Sequence, residues 1–117
     1  LIGRELPNDC IVQDHGLYRF GNLADVTFIR KLDIAFNPLQ QLEGVDQLPK
    51  LQHFNCYSCQ LEDIEGLRGL KKLESLLLQQ NNLTGRLSDC IGQFVKLKEL
   101  RLDRNKIQKL VSLRFKI

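Results

Sequence analysis

His53, Cys56 and Cys59 stand at three-residue intervals, and Cys-x-x-Cys is a spacing at which thiolates hold zinc. A closed structural zinc site takes four ligands. The other cysteines are Cys10 and Cys90, the other histidine is His15, and no second Cys-x-x-Cys or histidine pair completes a set. We therefore expect no metal. The same two thiols could form a redox pair, but that chemistry needs an accessible thiolate, and the periodicity described below puts both inside. Asp9, Asp14, His15, Asp33 and Asp103 supply acid–base groups without a recognisable catalytic spacing. There is no G-x-S-x-G elbow, phosphate loop or H-E-x-x-H pair. We expect no catalytic residue, no cofactor and no enzymatic activity. Asn82-Leu83-Thr84 is an N-glycosylation sequon, whose residues the same periodicity explains without a glycan.

The elements that position these residues come from a chain of 117 residues, one domain's worth. Its 17 basic and 14 acidic residues leave a net charge of +3. That excess is mild and the basic residues are scattered along the sequence, so no nucleic-acid partner is expected. No run of ~18 apolar residues marks a membrane span, and no apolar leader-like block opens the chain. Four cysteines without a disulfide-framework spacing point to a reducing compartment. The chain begins at Leu1 and has no methionine, from which we expect a piece of something longer, capped by flanking segments of the same chain.

The dominant signal is a repeat. Leu73, Leu76, Leu78, Asn81 and Leu83 follow L-x-x-L-x-L-x-x-N-x-L, and the pattern recurs in register from starts at 7, 29, 51, 73 and 97, which are 22, 22, 22 and 24 residues apart. Counting each start as position 1, positions 1, 4, 6, 9, 11, 14, 17 and 20 should be buried. The two-step between 4 and 6 belongs to a strand, and the later three-steps to 3₁₀ or extended returns. A fixed period of this length means a solenoid. The expected fold is α/β: five stacked repeats over residues 1–117, with short parallel strands starting near Asp9, Lys31, His53, Ser75 and Glu99. Position 9 carries His15, Asn37, Cys59, Asn81 and Asn105. An inward asparagine there can bond buried amides and carbonyls and so form a ladder between repeats. His15 breaks the pattern, and its turn should be looser.

This pattern resembles the leucine-rich repeat, which implies a curved horseshoe with a concave parallel sheet and mostly 3₁₀ or extended convex returns. Asp63-Ile64-Glu65-Gly66-Leu67-Arg68-Gly69-Leu70 and the turn Glu43-Gly44-Val45 resemble the 22-residue class typified by phosphatase-1 regulatory repeat proteins. Within the 24-residue unit that starts at 73, the stretch from Asn81 to Phe94 resembles the plant-receptor type, with Ser88 in place of the usual proline. The resemblance is specific for fold and says little about function.

Positions 3, 5, 7 and 8 should face the concave side, because strand side chains alternate. Phe36, Tyr57 and Leu77 are expected there on adjacent strands of one face, with His53 and Asn55 between them. Clustered aromatic anchors with a polar rim suit an interface centre. Ala35 at position 7 is expected on the same face. Lys31, Asp33, Arg101 and Arg104 would set orientation and partner choice by charge. The expected function is protein binding on the concave sheet. The 22-residue class implies an intracellular eukaryotic scaffold or regulatory subunit, cytoplasmic and cytoskeletal, ciliary or phosphatase-linked. The alternatives are an extracellular receptor or adhesion ectodomain and a structural spacer within a larger assembly.

Overall fold

The computed structural model describes residues 9–107 apart from 14, 18, 85 and 86. Five strands stack in chain order into one parallel sheet: β1 (Asp9–Ile11), β2 (Lys31–Asp33), β3 (His53–Asn55), β4 (Ser75–Leu77) and β5 (Glu99–Arg101). The register is that of the repeat. Cys10, Leu32, Phe54, Leu76 and Leu100 lie level across the sheet and are all buried. The flanking residues form two outward rows, one running Lys31, His53, Ser75, Glu99 and the other Ile11, Asp33, Asn55, Leu77, Arg101. Each strand is three residues long.

The returns match the three-step pattern. Single 3₁₀ turns occupy Ala24–Val26, Val45–Gln47 and Glu65–Leu67. The longer fourth repeat uses its two extra residues differently and closes with one α-helical turn, α1 (Ser88–Ile91), which buries Cys90 and Ile91 beside Leu87 and Phe94. The second and third 3₁₀ turns pack on each other. Gly66 makes that approach possible, because a Cβ there would lie 2.3 Å from the Leu42 carbonyl oxygen.

One continuous apolar core runs from Cys10 to Leu102. Val12, Leu17 and Ile107, which the periodicity places inside, are only partly buried, since they lie in the first and last repeats where a neighbour covers one side only. Leu110 and Leu113 fall outside the described residues.

The asparagine ladder is present. Asn81 Oδ1 accepts from the amides of Cys59 at 2.8 Å and Leu61 at 3.0 Å, and its Nδ2 donates to the carbonyls of Cys56 at 2.9 Å and Leu78 at 3.0 Å. Asn37 repeats this toward the first repeat, accepting from His15 at 3.0 Å and Leu17 at 2.8 Å. The His15 turn is therefore tied by its neighbour's side chain, although its own imidazole is exposed. Asn105 accepts from the Leu83 amide at 3.1 Å. Immediately before each ladder residue of the last four repeats the backbone turns left-handed: Phe36, Ser58, Gln80 and Arg104 have φ of 62°, 54°, 56° and 61°.

Candidate protein-binding face

Two separate groups of side chains occupy the outward face of the sheet. The first is a shallow hollow of about 200 Å³ over β1–β4. Ile11 and Leu77 line it from opposite ends of one row, with Lys31, Asp33, His53, Asn55 and Ser75 between them. Ile11 is 69% exposed, an unusual amount for an isoleucine on a strand, and Leu77 is partly buried. Asp33 accepts from the Gln13 side chain at 2.6 Å and from the Ala35 amide at 3.1 Å. Asn55 accepts from the Tyr57 amide at 3.0 Å. Both polar side chains are held by the turn that follows their strand. Ser75 donates to Glu99 at 2.8 Å.

The second group runs along the C-terminal rim of the sheet, where the strands have ended. The rings of Phe36 and Tyr57 meet at 5.2 Å between centroids with a 56° tilt, a favourable offset geometry for aromatic pairs. Tyr57 donates its hydroxyl to Gln80 Oε1 at 3.1 Å, and Arg104 donates to the same oxygen at 3.5 Å. Phe36, Tyr57, Gln80 and Arg104 thus form one connected line over four repeats. Arg101 is paired with Asp103 at 3.3 Å, so part of its charge is answered within its own turn. Beside this line the Oε1 of Gln79 is buried without a hydrogen-bond partner.

The geometry differs from the sequence expectation in two ways. Phe36, Tyr57 and Leu77 do not stand on adjacent strands: Phe36 and Tyr57 lie in turns beyond β2 and β3, and only Leu77 is on a strand, β4, where it lines the hollow. Ala35 is not on the face at all; it is 1% exposed. Strand alternation stops at Asp33; beyond it the short Ala35 side chain is covered, whereas Tyr57 at the same position of the next repeat is long enough to stay half-exposed. Sequence reasoning also passed over Ile11 as an anchor and Gln80 as a bridge. Ile11 had a signal, since it shares a row with Leu77; Gln80 had none, because its role depends on the turn that brings it to Tyr57.

The thiols are no part of this face. Cys10, Cys56, Cys59 and Cys90 are free and buried, and burial pushes each thiol's pKa up, Cys56 well above its ordinary value and Cys90 to about 11. Among the described residues no group of three or more His, Cys, Asp or Glu side chains could hold a metal ion, and no helix is long and apolar enough to cross a membrane.

Comparison with known proteins agrees with this architecture. Residues 72–94 match the Leucine Rich Repeat family model. Among solved structures the chain is similar to the crystal structure of an internalin from Listeria monocytogenes, with a TM-score of 0.65 and 33% sequence identity over 74% of this chain and 26% of that one. The chain therefore spans about a quarter of that internalin's length. No curated protein matches it. With five parallel strands in repeat register, an asparagine ladder between them and these two matches, the chain is a leucine-rich repeat protein.

Proposed function

We propose that the chain is a protein-binding module whose partner lies across the outward face of the sheet. The observation that carries this reading is the hollow between Ile11 and Leu77, an apolar recess with polar groups along its length. Interface centres are built in this way, from a few apolar anchors surrounded by polar side chains. The Phe36–Tyr57 pair supplies a second anchor at the C-terminal rim. Lys31, His53 and Arg104 supply charge and hydrogen bonds around both anchors. Binding suits this open sheet better than catalysis, which favours an enclosed pocket.

The test uses two double variants, Ile11→Ala with Leu77→Ala and Phe36→Ala with Tyr57→Ala, in quantitative pull-downs from the protein's own cells beside thermal melts. Truncating central anchors costs about 2 kcal/mol or more, which is roughly 30-fold in affinity. A protein held by the wild type and lost by a still-folded variant supports the reading. If both variants stay folded and keep every partner, the face is not used.

We read the compartment as reducing, on the four free thiols, and so favour an intracellular scaffold or regulatory role. A second reading, an extracellular ectodomain, has one observation in its favour: Asn82 of the sequon is exposed. Intact mass of the native protein separates the two, since a glycan on Asn82 overturns the intracellular reading.

A further inference from the structure

The basic residues that look scattered along the sequence are gathered by the fold. Every strand from β2 onward is preceded by the same tight turn, closed by Ile29 N–H to Val26 at 3.2 Å, Leu51 N–H to Leu48 at 3.1 Å, Leu73 N–H to Leu70 at 3.4 Å and Leu97 N–H to Phe94 at 3.0 Å. The turns stack because the residues that follow them are hydrogen-bonded from repeat to repeat, Gln52 to Arg30 and Glu74 to Gln52 at 2.8 Å, then Lys98 to Glu74 at 2.8 Å. The residue before the closing one is Phe28 in the first of these turns and Lys50, Lys72 and Lys96 in the next three. Phe28 is half-buried against the core. The three lysines are exposed, and among the described residues none of them is held in an ion pair. They form a column along the N-terminal rim of the sheet, one per repeat, at about the 4.8 Å spacing of neighbouring strands. Lys71 adds a further exposed charge beside the column. Of the acids at this rim, Glu74 is answered by Lys98 at 3.6 Å, and Glu99 accepts from Ser75 at 2.8 Å.

We propose that this lysine column docks an acidic, extended segment of a protein partner. It lies at the opposite end of the strands from the Phe36–Tyr57 pair and does not depend on the hollow. Three features favour a peptide over the other polyanions. The column is a line one residue wide, which fits a single extended chain and not the broad surface of a membrane or duplex. Glu99 lies exposed at the foot of the last strand, and a wide polyanion covering the rim would meet it. Single-stranded nucleic acid needs aromatic platforms for its bases, and the exposed aromatic pair stands on the far rim. Lysine ammonium groups act as point charges with no demand for bidentate geometry, which suits carboxylates presented along a backbone.

The experiment is fluorescence anisotropy with a labelled ten-residue oligoglutamate, which has no apolar side chain for the hollow. The wild type should bind it, with affinity falling steeply as salt rises. Reversing the column (Lys50→Glu, Lys72→Glu, Lys96→Glu) should weaken binding by roughly tenfold or more at low salt, where charge reversal acts most strongly. The control carries the same change in net charge elsewhere on the exposed surface (Arg19→Glu, Arg68→Glu, Lys106→Glu) and should keep most of the binding. Thermal melts confirm that both variants are folded. Equal losses in the two variants would overturn the proposal, because the attraction would then be one of net charge alone. So would stronger column-dependent binding to phosphatidylserine vesicles or to an oligouridylate than to oligoglutamate.

Discussion

Cys59 donates its thiol hydrogen to the carbonyl of Ile34 at 3.1 Å, in the place where Asn37 and Asn81 donate a side-chain amide to the equivalent carbonyls of Val12 and Cys56. The thiol therefore copies half of the asparagine. It has no oxygen to receive the amides two residues apart that Asn81 gathers from Cys59 and Leu61. Across the Cys59 junction the Leu39 amide bonds back to Asn37 in its own repeat instead, at 2.9 Å.

Asn81→Ala should therefore cost more than Cys59→Ala. Removing Asn81 strands several buried backbone groups, at about 1–3 kcal/mol each if water cannot reach them, whereas losing a weak thiol bond and a small apolar group should cost about 1 kcal/mol. Urea melts of both variants decide this; equal midpoints would mean that the side chain of Asn81 contributes no more to the ladder than the thiol of Cys59.

Two glycines in one return separate packing from backbone strain. Gly66→Ala drives a methyl into the Leu42 carbonyl and should destabilise by about 1–3 kcal/mol, the usual range for overpacking. Gly69 has φ of +90° with nothing within 4 Å of a Cβ, so Gly69→Ala should cost about 1–2 kcal/mol from backbone conformation alone. A second-site change can tell them apart: trimming Leu42 to alanine cannot relieve Gly66→Ala, because the clash is with backbone. Rescue by Leu42→Ala in thermal melts would show that the side chain is the obstacle.

The buried thiols set an alkaline limit. A free thiol titrates near ~8.5, and Cys90 in the fold is pushed up to about 11 by burial. The folded state thus keeps a proton that the unfolded chain has lost, so this contribution is fully present below the unfolded value and is lost as pH rises through the folded one. Denaturant midpoints should fall between about pH 9 and pH 11, and less so in Cys90→Ala when each variant is compared with itself at neutral pH. Midpoints that stay flat across this window would show that the thiol ionises without unfolding.

The same burial protects the thiols from reagents. In native protein all four should react with iodoacetamide far more slowly than in urea, because a buried neutral thiol is inert. Intact mass after a timed pulse counts the labels, and a rapid native reaction at Cys56 would contradict its burial.

The register was legible in the sequence because it is overdetermined: Leu32, Phe54, Leu76 and Leu100 each sit in a strict apolar pattern, and a one-residue slip would turn every one of them outward. The face was legible only as far as the strands run. Alternation placed Asp33, Asn55 and Leu77 in their row, but past the strand ends it failed, and with it the placement of Ala35 on the face and of Phe36 and Tyr57 on strands. Those depend on a turn whose left-handed residue is a phenylalanine in one repeat and a serine, glutamine or arginine in others, with no glycine to announce it. The lysine column was hidden for a different reason. Lys50, Lys72 and Lys96 are far apart when read along the chain and meet only when repeats are laid over one another.

That left-handed turn bears on how the protein folds. A residue with a side chain is held there against a backbone preference of roughly 1–2 kcal/mol, once in each of four repeats. The amides of Phe36, Ser58 and Gln80 are satisfied by the carbonyls of Tyr57, Gln79 and Asp103, at 2.9, 3.0 and 3.0 Å, and each acceptor belongs to the following repeat. An isolated repeat would carry the strain without the bond that offsets it. A pair of adjacent turns is therefore the smallest piece of this solenoid in which the strained residue and the bond that offsets it occur together.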